Sequence, residues 1–122
     1  MPVSVRDIDR AKRFYVEQVG FHLDLDHQIT DDIRIVQLTP PGSGSSIQLK
    51  HGDTRLDGLQ LVVDDVDLAR SELAERGVDV SAVLHFENGV RLEGRGGDWN
   101  SFVFFADPDG NAWVVQERPS AG

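Results

Sequence analysis

The chain has 122 residues, of which 39% are hydrophobic and 27% charged, which is the size and composition of one ordinary globular domain. Its formal net charge of −9 would repel phosphate backbones and anionic lipids, so we expect neither a nucleic acid partner nor a membrane. The absence of cysteine excludes a disulfide scaffold, thiolate zinc sites and a cysteine nucleophile. The first residues lack a signal-peptide profile, which predicts a cytoplasmic protein.

Two amphipathic helices are predicted, each beginning at an aspartate and ending at a glycine. The first lies between Asp7 and Gly20, and the second lies between Asp65 and Gly77. An aspartate side chain can accept hydrogen bonds from the free backbone N–H groups of a first turn, and glycine readily adopts the left-handed conformation after a last turn. The apolar residues at helical spacing are Ile8, Ala11, Tyr15 and Val19 in the first helix and Val66, Ala69 and Leu73 in the second.

Seven strand-like runs surround these helices. They cover residues 21–25, 33–38, 46–49, 59–63, 78–84, 101–105 and 112–116. Turn-forming residues separate the runs most clearly at 40–44, 88–89 and 107–111.

The two halves of the chain resemble each other. Sliding the sequence along itself places Asp7 on Asp65 and Ile8 on Val66, and a longer shift places the strand around Ile47 on the strand around Trp113. Each half then consists of a strand, a helix and three further strands. We therefore expect a tandem repeat within a single domain of residues 1–122, with module 1 at about 1–52 and module 2 at about 58–118.

Three segments carry a resemblance to a known family. They are residues 5–15, residues 62–67 and the segment Phe105-Ala106-Asp107-Pro108-Asp109-Gly110-Asn111. In this order they resemble the vicinal oxygen chelate superfamily, which includes glyoxalase I, bleomycin-resistance proteins and extradiol dioxygenases. The resemblance implies an α+β fold in which two tandem βαβββ modules form an open eight-stranded cup around a ligand, with the helices packed outside.

The resemblance also implies where a metal would bind, and this chain lacks donors at those positions. Metal-dependent members place one ligand on the first and one on the fourth strand of each module. One position falls just ahead of Met1, and the other three match Gly58, Gln48 and Val114. Because a divalent metal needs three or four carboxylate, imidazole or thiolate donors, we expect no metal and no other cofactor.

Strand alternation predicts the side chains that line the cup. Ile47, Leu49, Leu59 and Leu61 alternate with other residues and should face the helices. The opposite faces should bring neutral amides and aliphatic groups into a pocket for a small polar organic molecule, although a solvated sheet face is the alternative. The residues expected in this pocket are Gln48, Gln60, Val62, Ala112, Val114 and Gln116.

A glycine-rich segment at residues 94–100 leads into a strand, whereas a dinucleotide-binding loop would lead into a helix. We interpret it as a mobile flap at the mouth of the cup, where Trp99 would stack on a planar ligand. The alternatives for Trp99 are a dimer interface or packing against Phe102 and Phe104. Trp113 is expected in the core that faces the helices.

Four histidines have two interpretations each. A metal site or a solvated strand face would account for the alternating residues His22, Asp24 and Asp26, with His27 adjacent. A catalytic base or a partly exposed loop residue would account for His51 and His85, which lie at predicted strand ends.

Three functions from different classes remain open. The preferred one is a metal-independent member of the superfamily that binds a small organic molecule, similar in type to its antibiotic-binding proteins. The second is a lyase, isomerase or dioxygenase-type enzyme that acts through a cup residue such as Gln48 or His51, and the third is a ligand-free structural dimer. We expect a homodimer in any case, because an open cup leaves edge strands that need cover. The sequence assigns no catalytic residue.

Overall fold

The computed structural model describes residues 1–42 and 45–120, which fall into two compact units. The first unit contains Met1–Leu56 and the turn Asp107–Asn111, and the second contains Asp57–Ala106 and the segment that begins at Ala112. Each unit holds a βαβββ-like module, as the sequence predicts. Ser43 and Gly44, part of the predicted break at 40–44, lie outside the described residues. No helix of the described chain has the length and apolarity needed to cross a membrane.

The first unit is a four-stranded sheet with one helical segment. Its elements are β1 (Pro2–Val5), α1 (Ile8–Arg13), a π-helical segment (Phe14–Val19), β2 (His22–Gln28), β3 (Arg34–Thr39) and β4 (Ile47–His51). The strand order is β1-β4-β3-β2, with β1 parallel to β4 and the other pairs antiparallel.

The first predicted helix begins and ends where its caps indicate. The Asp7 carboxylate accepts a hydrogen bond of 3.0 Å from the Arg10 N–H. Gly20 is left-handed with φ 89°, and the Phe21 N–H donates to the Tyr15 carbonyl over 2.8 Å. The second half of the segment is π-helical rather than α-helical, because the Tyr15 carbonyl accepts from Gly20 and Phe21 instead of closing an α-turn.

The second unit is a five-stranded sheet with one helix. Its elements are β5 (Leu59–Val63), α2 (Val66–Glu75), β6 (Leu84–Glu87), β7 (Val90–Glu93), β8 (Phe102–Ala106) and β9 (Ala112–Glu117). The strand order is β5-β9-β8-β6-β7, and β5 runs parallel to β9. Asp65 caps α2 by accepting from the Leu68 N–H over 3.0 Å.

The second sheet contains one strand more than the sequence predicts. Residues 78–83 form no strand. Ser81 binds Phe104 of β8 through both its N–H, which donates to the Phe104 carbonyl over 3.0 Å, and its Oγ, which accepts from the Phe104 N–H over 2.9 Å, while its own carbonyl accepts from Arg70. The hairpin of β6 and β7 turns at Asn88 and Gly89 instead, where both residues have positive φ. The described residues therefore form nine strands rather than eight.

Each sheet buries one face, with the alternation that the sequence predicts. Ile47 and Leu49 are buried in the first unit. In the second unit Leu59 and Trp113 are buried, and the Trp113 ring stacks on Phe105 with ring centroids 6.0 Å apart. Trp113 thus lies in the core, as predicted.

The turn Asp107–Asn111 buries the polar residues Asp107, Asp109 and Asn111 among residues of the first unit. The Asp107 carboxylate accepts from the Tyr15 hydroxyl over 2.6 Å and from Asn111 Nδ2 over 2.8 Å. Asn111 also donates to the Ser4 carbonyl over 3.0 Å and accepts from the Leu56 N–H over 2.8 Å. This turn carries the family resemblance most clearly, and it has a structural role. Its hydrogen bonds connect it to β1, to the first helical segment and to the chain after β4.

Candidate ligand-binding face of the second sheet

The second sheet has a polar and aromatic face opposite its core. The core face carries Leu59, Val103, Phe105, Trp113 and Val115, all of which are buried. The residues that alternate with them along the strands form what we call the open face: Gln60, Val62, Phe86, Arg91, Phe102, Phe104, Val114 and Gln116.

The strand register arranges the open face in rows. Gln60 of β5 lies opposite Val114 of β9, which lies opposite Phe104 of β8. In the next row Gln116 lies between Val62 and Phe102. Directly opposite residues on neighbouring strands share one face, so these side chains form a continuous surface.

Two predicted site residues form an amide pair on this face. Gln60 Nε2 donates to Gln116 Oε1 over 2.5 Å, and Gln116 Nε2 donates to the Trp99 carbonyl over 2.8 Å. In the described part of the chain the Gln60 Oε1 atom accepts no hydrogen bond, so it remains available as an acceptor. Gln60, Gln116 and Trp99 are thus brought together as the sequence predicts, beside Val62, which is 44% exposed.

Beside the amide pair lies an aromatic cluster that the sequence interpretation did not include in the site. The rings of Phe86 and Phe102 pack edge to face with their centroids 5.4 Å apart, and the rings of Phe102 and Phe104 stack with their centroids 6.3 Å apart. The Arg91 guanidinium carbon lies 4.0 Å from the Phe104 ring centroid and 5.9 Å from that of Phe86. The alternation along β8 was a signal for these two residues. Phe102 and Phe104 alternate with the buried Val103 and Phe105, and they therefore lie on the opposite face, which also carries Val114.

The glycine-rich segment, predicted as a mobile flap, is hydrogen-bonded near both of its ends. The Gly94 N–H donates to the Val83 carbonyl over 2.7 Å, and the Gly96 N–H donates to Ser101 Oγ over 3.2 Å. The Asn100 side chain pairs with both the N–H and the carbonyl of Phe86, each over 2.9 Å. These contacts anchor both ends of the segment, and the mobility of the residues between them stays a prediction.

Trp99 lies on this anchored segment in a left-handed conformation, with φ 61° and 51% of its surface exposed. Its ring has no aromatic partner among the described residues, and packing on Phe102 and Phe104 is therefore not what the structure shows. Left-handed backbone is unfavourable for a bulky residue and is found most often at functional sites.

An ion-pair cluster fixes the same segment to the helix and to β9. Arg95 binds Asp67 over 2.6 Å and also pairs with Glu117. The hydrogen bond from Arg95, together with the backbone hydrogen bond from Val66, lowers the pKa of Glu117, which is therefore ionised at neutral pH. Glu117 in turn raises the pKa of Arg95.

Gln48, also predicted for the site, belongs to the first unit. It lies on β4 opposite Gln37 of β3, and it alternates with the buried Ile47 and Leu49 as expected. At the other positions that match the family's metal ligands, Gly58 and Val114 offer no donor atom from a side chain. The residues present therefore do not fit a bound divalent metal.

The aspartates of β2 do not share one face, so the prediction of a common face for His22, Asp24 and Asp26 is wrong. A β-bulge between Leu23 and Leu25 shifts the register there. Asp24 accepts hydrogen bonds from Gln37 and Thr39. No group of three metal-binding side chains occurs within residues 1–42 and 45–120.

Asp26, beyond the bulge, binds cations of its own unit. Arg34 reaches it through two hydrogen bonds of 2.9 Å, and Lys12 lies 2.6 Å away. These partners, Arg34 first, hold the pKa of Asp26 far below its usual value. Asp26 is thus a structural ion-pair partner.

The two histidines considered as bases have structural surroundings. His85 Nδ1 lies 2.9 Å from the Gly94 carbonyl, and its Nε2 lies 3.3 Å from a Glu87 carboxylate oxygen. The Nδ1 contact thus helps to anchor the glycine-rich segment, whereas the Nε2 contact stays within β6. His51 is exposed at the end of β4.

Comparison with known proteins identifies the family. The model of the Glyoxalase/Bleomycin resistance protein/Dioxygenase superfamily matches residues 2–115. The Bacillus subtilis (strain 168) protein YetH is 24% identical over 121 residues, which cover 94% of this chain and 92% of YetH.

Two solved structures from Streptomyces sp. CB03234 are also similar. TnmS3, an antibiotic binding protein, shares 34% identity with a TM-score of 0.77, covering 98% of this chain and 93% of TnmS3. A glyoxalase/bleomycin resistance protein shares 35% identity with a TM-score of 0.74, covering 94% of this chain and 95% of its own. The chain therefore belongs to the Glyoxalase/Bleomycin resistance protein/Dioxygenase superfamily.

Proposed function

We propose that the chain binds a small organic molecule, without a metal, on the open face of the second sheet. The observation that carries this proposal is the amide pair of Gln60 and Gln116 next to the aromatic cluster. Few polar groups within an apolar and aromatic lining are typical of small-molecule sites, because the apolar surface supplies affinity and the polar groups fix orientation. Trp99 and Val62 extend the apolar part of this surface.

The relatives support the same class of function. TnmS3 is an antibiotic binding protein, and this chain is 34% identical to it over nearly its whole length. We therefore propose antibiotics as the first group of compounds to test. Gln48, which lies in the first unit, stays a predicted site residue on the grounds of strand alternation and the family resemblance.

The chemistry of the matched positions supports metal independence. Gly58 and Val114 provide no donor, and the neutral amide of Gln48 cannot hold a divalent metal tightly by itself. Binding then depends on hydrogen bonds and apolar contacts. The enzyme alternative loses one of its candidate bases, since His85 uses both ring nitrogens within its own hairpin and loop.

The test is a thermal-shift screen of antibiotics on protein treated with EDTA. A ligand at 100 times its dissociation constant should stabilise the protein by about 2.7 kcal/mol, which raises the Tm by roughly 10 °C. The Gln60→Leu variant should lose most of this response. Its stability without ligand should stay within about 1.5 kcal/mol of the wild type, because Gln60 is exposed and has no obligatory buried partner.

Thr54→Val provides the control, since Thr54 is an exposed polar residue in the first unit and should keep the full response. An unchanged response of Gln60→Leu would contradict the site. A response that EDTA abolishes and a divalent metal restores would contradict metal independence.

We also propose that the protein is a homodimer. In the second sheet β7 is an edge strand whose Val90 and Leu92 are 56% and 39% exposed. An apolar edge strand readily pairs with another chain. Sedimentation at tens of micromolar should show a dimer that Val90→Lys shifts toward monomer, while Leu68→Lys on the exposed side of α2 should not. A monomeric wild type would refute the dimer.

A further inference from the structure

We propose that Arg91 selects ligands that carry an anionic group on a planar ring system of two or three fused or linked rings. This inference rests on the proposed function, because it concerns the same face. It adds the charge and the length of the ligand, which the family does not specify.

Arg91 differs from the other arginines of the second unit in its partners. The others bind oxygen acceptors of the protein: Arg70 binds the Ser81 carbonyl, Arg76 binds Glu72, Arg95 binds Asp67 and Glu117, and Arg118 binds Asp64. Within the described residues Arg91 has no carboxylate or carbonyl partner, and its guanidinium lies over the rings of Phe86 and Phe104. Its charge is thus uncompensated in a chain whose net charge is −9.

The rings hold Arg91 in a position suited to an anion. A guanidinium stacked on a ring keeps its N–H donors at its edge, in a fork that matches a carboxylate or a sulfonate. Phe104 shields one side of the group from water, and this strengthens its attraction for a bound anion. Because the rings already orient the side chain, less conformational entropy is lost when the anion binds.

The distance between the polar groups sets the length of the ligand. The Arg91 guanidinium lies over Phe104 of β8, and Gln60 lies on β5, two strands away in the order β5-β9-β8. Neighbouring strands are separated by about 4.8 Å, so the two polar groups are about 10 Å apart across the sheet. A planar system of two or three rings spans this distance while it covers Phe104 and Val114.

The experiment compares two dyes of matched skeleton by fluorescence titration. 1-Anilinonaphthalene-8-sulfonate carries an anionic group, and N-phenyl-1-naphthylamine is the same skeleton without it. Wild-type protein should bind the sulfonate about tenfold more tightly than the neutral dye, and Arg91→Gln should remove this preference by weakening the sulfonate alone. Arg91→Lys should keep part of the preference, because it retains the charge but not the planar fork.

Two further variants make the result specific. Arg13→Gln removes the same charge from the exposed surface of the first unit and should leave both affinities unchanged. Gln60→Leu should weaken both dyes. Sulfonate binding that Arg91→Gln leaves unchanged, or no sulfonate binding by the wild type, would overturn the role of Arg91. If Gln60→Leu also leaves the binding of both dyes unchanged, the proposed site on the open face fails as well.

Discussion

Asn111→Ala is expected to lower the free energy of unfolding by about 3 kcal/mol. Asn111 is 0% exposed, and its side chain holds three groups of the first unit. It accepts from the Leu56 N–H and donates to the Ser4 carbonyl and to the Asp107 carboxylate. Alanine removes this partner from all three groups. The Asp107 carboxylate keeps the Tyr15 hydroxyl, but the partly buried Leu56 N–H and Ser4 carbonyl each lose a hydrogen bond, and this loss costs free energy. Urea denaturation followed by far-UV circular dichroism measures the change.

Asn100→Ala is the matched control for this change. The Asn100 side chain also makes two backbone hydrogen bonds, both to Phe86, but these two bonds are exposed to solvent and water can replace the lost partner. Its cost should be about 1 kcal/mol. Equal costs for the two variants would show that Asn111 is not the buried link that we describe.

Gly96→Ala is expected to destabilise the protein by about 2 kcal/mol and to weaken ligand binding. A Cβ atom at this position would collide with the Asn100 carbonyl oxygen and would lie 2.8 Å from the His85 Cβ atom. The Asn100 backbone cannot move away easily, because its side chain is tied to Phe86 of β6. The segment that carries Trp99 would therefore have to shift. Urea denaturation and the ligand response in the thermal-shift assay report the two effects.

Gly97→Ala separates this close approach from the general effect of adding a methyl group. A Cβ atom at Gly97 would meet no atom within 4 Å, and its φ lies outside the left-handed range. This variant should keep its stability within about 0.5 kcal/mol of the wild type and bind ligand normally. If both alanine variants lose similar amounts of stability and of ligand binding, the close contacts at Gly96 are not the cause of the loss.

Alternation and capping made much of the fold predictable from the sequence. Alternation with a period of two along β4, β5 and β9 placed Gln60 and Gln116 on the face opposite the buried residues next to them in sequence, because a strand has only two faces. Asp7 and Asp65 marked the beginnings of the helices through local hydrogen bonds that depend on a few adjacent residues. Such signals need no knowledge of tertiary structure.

The remaining features depend on contacts that are distant in sequence. Residues 78–84 have a strand-like pattern, but the Ser81 carbonyl accepts from the Arg70 side chain and its hydroxyl takes the Phe104 N–H, and the strand begins only at Leu84. The hairpin that places Arg91 over Phe104 was therefore missed. The β-bulge beside Asp24 is likewise invisible in the alternation of β2, yet it determines the face on which Asp26 lies. The extent of a single domain over 1–122 and the homodimer stay predictions.

The side-chain amide resonances of Gln60 and Gln116 test the central claim most directly. In a two-dimensional ¹H–¹⁵N spectrum, Gln60→Leu removes one pair of amide signals and thereby assigns the Gln60 side chain. Titration with a ligand from the thermal-shift screen should move the Gln60 and Gln116 signals, because the ligand contacts this amide pair. The side-chain signals of Gln28, which binds the Thr30 carbonyl in the first unit, should stay in place. Saturable binding that leaves the Gln60 and Gln116 signals unmoved would contradict a ligand site on the open face.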